Sequence, residues 1–444
     1  MLKSCSSTQT GKSSQVLRIT TRPSSRLRTE KASVAKRRPH VQNARSSSSA
    51  QAGQSLAAAY EFQFHSRIAD IDAGVWDALA GGASPFLRHA FLHALEASGC
   101  ATKETGWEPQ PLLVLQDGRP VAALPLYLKR HSWGEYVFDW SWADAYRQHG
   151  MAYYPKLVTS VPFTPSSGPR LLLAGDTDHA AVTMAIVAAV LGRAKTIGAS
   201  SWHVLFPTPE ENALLNAAGL RPRIGCQYHW YNRGYTCFDD FLATFNSRKR
   251  KNLRKERAAV HGARIHFLHL SGQDITPAFW QTFYGFYQNT YQVRGQQGYL
   301  NLAFFEQLGR TMPENLLLVL ALHEDTPIAA ALSLRDGNTL YGRYWGSRDD
   351  YQFLHFETCY YQGIDYCIAH GLQHFDSGAQ GEHKIQRGFE PIITYSNHWI
   401  ADRQFDAAIG EFLVREAEHI RQYQGEAAQM LPFRMTSAAQ GHEP

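Results

Sequence analysis

Cysteine is sparse in this 444-residue chain: Cys5, Cys100, Cys226, Cys237, Cys359 and Cys367 include no C-x-x-C pair and are too thinly spread for a disulfide framework. They read as small buried residues of a reducing compartment. No stretch reaches the roughly 18 uninterrupted apolar residues of a membrane span, and the nearest, Ala180 to Leu191, is too short. Several strongly specified motifs are also missing: the G-x-S-x-G elbow, the G-x-x-x-x-G-K phosphate loop, H-E-x-x-H, and G-x-G-x-x-G after a strand. Their absence counts against serine hydrolases, P-loop nucleotidases, zincins and dinucleotide enzymes. The 20 histidines do not restore a metal reading, because His261, His266 and His269 have no Cys or acidic partner at ligand spacing.

Acid is scarcest at the N-terminus, where Met1 to Ser55 carry eleven Lys/Arg and thirteen Ser against the single acid Glu30. The rest of the chain then holds 33 basic and 38 acidic residues, so the body is net acidic although the whole chain is +5. That excludes a nucleic-acid binder recognised by overall positive charge, and any basic site in the body must be local. An Arg- and Ser-rich, acid-poor leader without an apolar core fits an organellar transit peptide over residues 1–58, with plastid favoured, mitochondrion second and cytoplasm third. A disordered basic tail is the alternative.

What is present, 44% apolar and 19% charged side chains, suits a globular chain with one or two cores. Leu112 to Ala123 reads as strand, tight turn at Asp117-Gly118, and returning strand. The pattern recurs about two hundred residues later from Leu317 to Ala330, with proline just before the second strand in both. A weak internal duplication follows, with units over 59–230 and 231–424 and a loose tail over 425–444. In the second unit Thr339 to Trp345 predicts a strand and Gly346 to Phe353 a polar loop. Phe356, Tyr360, Ile364 and Ile368, four apart, predict a helix closed by Gly371, and Leu372 to Phe375 the next strand. This is an α/β layout, whose ligands sit beyond strand ends.

Four segments carry candidate chemistry. His374 to Pro391 places Asp376, Gln380, Glu382, His383, Lys384 and Arg387 among three glycines at a strand exit, supplying bases and cations, or else a solvated charged loop. Tyr341 to Arg348 offers Arg343, Trp345, Gly346, Ser347 and Arg348 around a glycine turn ahead of a helix, a weak anion cradle. Ser247 to Arg257 holds seven basic groups in eleven residues, among them Arg248, Lys249, Arg250, Lys251 and Arg254, able to grip phosphates or to form a solvated helix face. Trp133 to Tyr154 is dense in aromatics, Trp140 and Tyr154 included, and lines a cleft if it is not core.

Together, Pro85-Phe86-Leu87-x-His89-Ala90-Phe91-Leu92, Thr105-Gly106-Trp107-x-Pro109, Gly134 to Asp139, Tyr153 to Leu157, Pro162 to Pro165, His355-Phe356-Glu357, Gly378 to Lys384 and His398-Trp399-Ile400 resemble the FemAB-like predicted N-acyltransferases over roughly Glu61 to Gln424. The resemblance implies two tandem GNAT-like α/β domains, each a mixed, mostly antiparallel sheet flanked by helices. It also implies transfer of an acyl or aminoacyl group to an amine, with no tightly bound cofactor and acyl-CoA or aminoacyl-tRNA as co-substrate. GNAT enzymes hold coenzyme A with a Q/R-x-x-G-x-G/A loop; here Arg343 to Arg348 ends in arginine, which leaves room for an aminoacyl-tRNA gripped through the basic run. An attacking amine must lose a proton. Glu382 or His383 is then the expected base, with Asp376 beside them, Lys384 or Arg387 the expected charge, and Arg343, Gly346 and Ser347 the donor contacts. Trp345, Arg348, Gln380, Trp140 and Tyr154 complete the expected substrate contacts. The rival expectation is a non-catalytic binding module with a degenerate fold.

Overall fold

The computed structural model describes residues 60–434 except 83 and 380. The expected leader, Gln380 and residues 435–444 lie outside the described residues.

Among the described residues fifteen strands form two sheets. A four-stranded sheet, in the order β1-β3-β4-β7, comprises β1 (Glu61–Phe64), β3 (Leu112–Gln116), β4 (Arg119–Leu124) and β7 (Leu172–Leu173). The larger sheet has eleven strands in the order β10-β11-β12-β13-β14-β9-β15-β8-β6-β5-β2. In chain order these are β2 (Trp107–Pro109), β5 (Leu126–Lys129), β6 (Lys156–Thr159), β8 (Ser201–Leu205), β9 (Arg221–Tyr231) and β10 (Ile265–Ser271). They are followed by β11 (Leu316–His323), β12 (Thr326–Arg335), β13 (Thr339–Ser347), β14 (His374–Asp376) and β15 (Glu390–Ile400).

The repeated hairpin is built the same way twice. Asp117 and Gly118 turn β3 into β4 with positive φ, as Glu324 and Asp325 turn β11 into β12. In each returning strand the residue after the proline, Val121 or Ile328, is left over as the register shifts. Each hairpin leads on to a parallel strand pair joined by a crossover helix: β6 and β8 through His179–Ile197, and β13 and β14 through residues 354–369. The long strands β9 and β15 close the design by crossing over, β9 pairing with β14 and β15 with β8, while pairing with each other from Arg221 to His229. Strands from early and late in the chain thus share one sheet, and its centre is a pseudo-twofold seam. This is an α/β architecture of two related halves with mostly antiparallel sheets, as expected.

Three local details differ from the sequence expectations. The helix His179–Ile197 is the one described helix long and apolar enough to cross a membrane, by length and composition, with a mean hydropathy of 1.6. Here its Val182, Ile186, Val190 and Ala194 stripe is buried against the sheet. The helix of residues 354–369 carries a π turn over Glu357–Tyr361, which the four-residue stripe did not signal. The terminal helix runs over Arg403–Gln429, past the expected end. Ala427 is buried, Phe433 packs edge-on to Phe245 and the Pro432 carbonyl accepts from Asn246, so residues 425–434 are docked rather than loose.

Candidate active site

Beside β12, strand β13 carries one extra residue: Leu332 faces Tyr344, Ser333 faces Gly342, and Arg343 is left between them. Such a bulge bends a strand and re-aims its side chains. Parallel pairing with β14 lasts only from Thr339–His374 to Tyr341–Asp376, after which the strands part. A pocket of about 190 Å³ opens in the gap, bounded by Gly342, Arg343 and Tyr344 on one side and Ser377, Gly378 and Ala379 on the other. Tyr287, Tyr291 and Tyr299 roof it, and Tyr136 and Phe163 reach it from the earlier part of the chain. The Tyr344 hydroxyl is buried without a hydrogen-bond partner, and desolvation raises its pKa, keeping the phenol protonated.

At the floor, Asp376 is 1% exposed and receives Arg343 Nη2 at 2.6 Å, Ser166 Oγ at 2.9 Å and the Gly378 N–H at 2.9 Å. Burial alone would raise its carboxyl pKa, but Arg343, His229 and the hydrogen bonds outweigh burial and hold it well below the usual carboxylate range. Asp376 is therefore a fixed anion and not a proton acceptor at neutral pH, which corrects its expected place among the catalytic groups. Its partner Arg343, with a side chain 2% exposed, turns both Nη atoms inward onto Asp376 and the Gly342 carbonyl, away from the open reach expected of a phosphate clamp, and leaves only Nε unpartnered. His229 stands 3.6 Å from Asp376 and is kept neutral by burial, its pKa lowered to about 3.

Lys384 lies behind the same gap. Its buried Nζ donates to the carbonyls of Ser377 at 2.9 Å and Gly378 at 2.7 Å, pinning the loop that forms one pocket wall. Burial lowers its pKa to about 8; the Asp376 carboxylate opposes the shift and the Arg343 charge adds to it. Glu382 and His383 part company with it. Both are exposed, Glu382 accepting from the Tyr423 hydroxyl at 2.7 Å and His383 Nε2 lying 2.9 Å from the Tyr360 hydroxyl. Partial burial of the ring, with Arg387 and Lys384 nearby, lowers the His383 pKa to about 4. Neither lines the pocket, so the expected reacting trio is split, and only Lys384 stays with Asp376.

The anion cradle is not built either. Gly346 sits in β13 with its Cα against the helix Pro277–Gln292, where a Cβ would run into the Phe286 carbonyl. The glycine permits helix-on-strand contact, and the carbonyls of Trp345 and Ser347 accept from Thr290 at 2.9 Å and Asn289 at 2.7 Å. Trp345 packs edge-on to His355, and Arg348 is exposed and paired with Asp349. Arg387 lies buried over the Phe356 ring and forks onto Glu256. Trp140 is exposed, and Tyr154 bonds Ser132 at 2.8 Å; neither reaches the pocket. The basic run forms the helix Ser247–Gly262, whose Glu256 and Lys249 are tied to Arg387 and Gln386 and whose Arg254 pairs with Asp239. Arg248 and Lys251 face solvent on this helix and Arg250 is half-buried. Among the described residues no three His, Cys, Asp or Glu side chains gather as a metal would need.

Sequence reasoning missed the tyrosine roof, although Tyr284, Tyr287 and Tyr291 are spaced as a helix stripe and Tyr299 follows soon after. It also missed Tyr344, next to a residue it did name.

The strand gap and its loop thus open a pocket at the exit of one of the two parallel strand pairs of a duplicated α/β scaffold. The chain belongs to the FemAB-like family, described as peptidoglycan biosynthesis/recognition, which it matches over residues 67–435. No curated protein matches the sequence. Similar solved structures include FemX, at 14% identity, covering 79% of this chain and 100% of that one with a TM-score of 0.48. Another is a tandem GNAT protein from the clavulanic acid biosynthesis pathway (11%, 77% and 99%, 0.44). A third is the C-terminal domain of a putative lysylphosphatidylglycerol synthetase from Agrobacterium fabrum (11%, 78% and 96%, 0.49).

Proposed function

We propose that the protein is an N-acyltransferase that moves an acyl or aminoacyl group from an activated donor to an amine, with the reacting carbonyl in the gap between β13 and β14. The observation that carries this is the gap itself: parallel strands parted by a bulge, an open pocket, and a buried lysine that fixes its wall. Family membership supports the same chemistry. Attack of the amine forms a C–N bond and a negatively charged tetrahedral oxygen; the bond to the leaving oxygen or sulfur then breaks, and that group takes up the proton the amine loses. Lys384 and Arg343 against the single charge of Asp376 leave net positive charge beneath the pocket, which favours the oxyanion. Tyr344, held protonated, can supply a hydrogen bond there.

Of the two donor classes we favour aminoacyl-tRNA. No loop at Gly346 cradles a pyrophosphate, whereas Arg248 and Lys251 lie on a helix tied to the segment just after the pocket wall. One observation favours the rival, a non-catalytic binding module: no Asp, Glu or His is among the described residues lining the pocket. Incubation with aminoacyl-tRNA or acyl-CoA and a mixture of amines, followed by mass spectrometry, separates them. New amides support the transferase, and their absence with retained ligand binding supports the module. For the leader we propose plastid import, which a reporter fused behind residues 1–58 tests by its location and cleavage.

A further inference from the structure

Tyr136 and Ala379 border a second pocket, of about 220 Å³, over the central β9–β15 seam. Together the two hollows approach the size of small-molecule sites. Val137, Phe138, Phe206, Ile224 and Ile420 make its walls apolar. Its two charged residues cancel, since Arg223 forks onto Glu416 at 2.7 and 2.8 Å and spends a further N–H on the Phe138 carbonyl at 2.8 Å. The other polar side chains, such as Cys226, Thr394 and Ser396, are uncharged, and burial raises the Cys226 thiol to about 11.

The apolar wall continues outward. Phe138 is 53% exposed, and close to it in sequence Trp133 (54%) and Trp140 (37%) meet edge-to-face at 5.0 Å. This ledge is braced from beneath by buried charges. Lys129 donates to the Trp133 carbonyl at 3.0 Å, while Lys156 holds Glu135 at 2.8 Å and also Asp139. Apolar side chains held rigidly in water mark a binding surface and lose little freedom on binding.

We infer that this second pocket seats the acceptor, and that the acceptor is an amine carried on an uncharged apolar scaffold, whose outer part lies over Phe138, Trp133 and Trp140. Among the described residues the wall has no free cation for a phosphate or carboxylate and no free acid for a polycation. The amine points to the Tyr136–Ala379 junction, where the acyl carbonyl waits. Its identity as an amine rests on the transferase reading; the apolar scaffold rests on the wall alone.

Tryptophan fluorescence titration of the protein with n-octylamine and ethanolamine, both kept below aggregating concentrations, tests this without any donor. Octylamine is expected to half-saturate at a concentration at least about tenfold lower than ethanolamine, as burial of even a few methylenes requires. Phe138→Ser and Ile224→Asp should each raise that concentration at least about fivefold. Met184→Ser, at an exposed methionine elsewhere, should leave it unchanged. Equal half-saturation by the two amines, or octylamine binding indifferent to both wall variants, overturns the assignment. Octylamine binding without any transfer would instead count against the transferase reading, and transfer to hydrophilic amines without octylamine binding against the acceptor class alone.

Discussion

The two parallel strand pairs start from the same layout and end differently. Beyond β6 and β8, the Arg170 guanidinium fills the strand exit, donating to the carbonyls of Leu205 at 2.7 Å, Gly168 at 3.0 Å, Pro169 at 2.9 Å and Ser166 at 2.5 Å. It is 2% exposed, and burial lowers its pKa to about 10, with Glu211 opposing the shift. Beyond β13 and β14, Lys384 likewise caps two carbonyls, but the bulge at Arg343 leaves a pocket in front of them. A guanidinium with five donors can satisfy a whole exit, whereas an ammonium with three satisfies the wall and leaves the space. One exit is therefore filled and the other holds a pocket. Ser166, close to the plug in sequence, reaches across to Asp376 and couples the two.

The largest expected effect falls on Asp376, where that coupling ends. Arg343→Met strands a buried Asp376 carboxylate and should cost about 3–5 kcal/mol of stability, read by chemical denaturation. If the cost is below about 1 kcal/mol, the pair does not hold the floor as argued. Next, Arg170→Met leaves buried carbonyls bare and should cost roughly 2–3 kcal/mol, while transfer per folded molecule stays within about threefold of wild type.

The Lys384 charge sharpens the contrast through pH. Its folded pKa, about 8, lies below the unfolded value of about 10.5, so between those values the unfolded chain binds more protons and this group's contribution to stability rises with pH. Over the same window the transfer rate should fall relative to Lys384→Arg as the charge is lost from pH 8 upward. Lys384→Arg, charged throughout, should lack both effects, and a ratio of wild-type to Lys384→Arg rates that holds steady to pH 10, the acceptor amine's own titration cancelling, would exclude a role for the charge. The smallest effect belongs to Arg348→Ala. Side chains 54% and 46% exposed make the Arg348–Asp349 pair worth no more than about 0.5 kcal/mol, and donor affinity should not change.

The repeated architecture was legible because it is written in local periodicity: Leu317 to Leu322 against Ile328 to Ala330 is a strand pattern at any distance from its partners. Gly371 with φ +68 ends its helix as expected for the same reason. The site was only half legible. Arg343 and Asp376 were both named, yet their pairing across 33 residues of sequence, which removes each from the role given to it, is a tertiary fact. Gly346 reads alike whether it turns a loop or admits a passing helix, and only the Phe286 carbonyl decides. Glu382 and His383 share a short 3-10 segment with Lys384, where neighbours point apart, so adjacency in sequence carried no promise of a shared cleft.

The most direct measurement is the amide-forming rate of Lys384→Met and Arg170→Met, assayed side by side per mole of folded protein. If transfer occurs in the open exit, loosening its wall should cost Lys384→Met about 10²-fold, while Arg170→Met stays within about threefold of wild type. A Lys384→Met protein that keeps its rate, or an Arg170→Met protein that loses it while folded, would contradict the assignment of chemistry to the second strand pair.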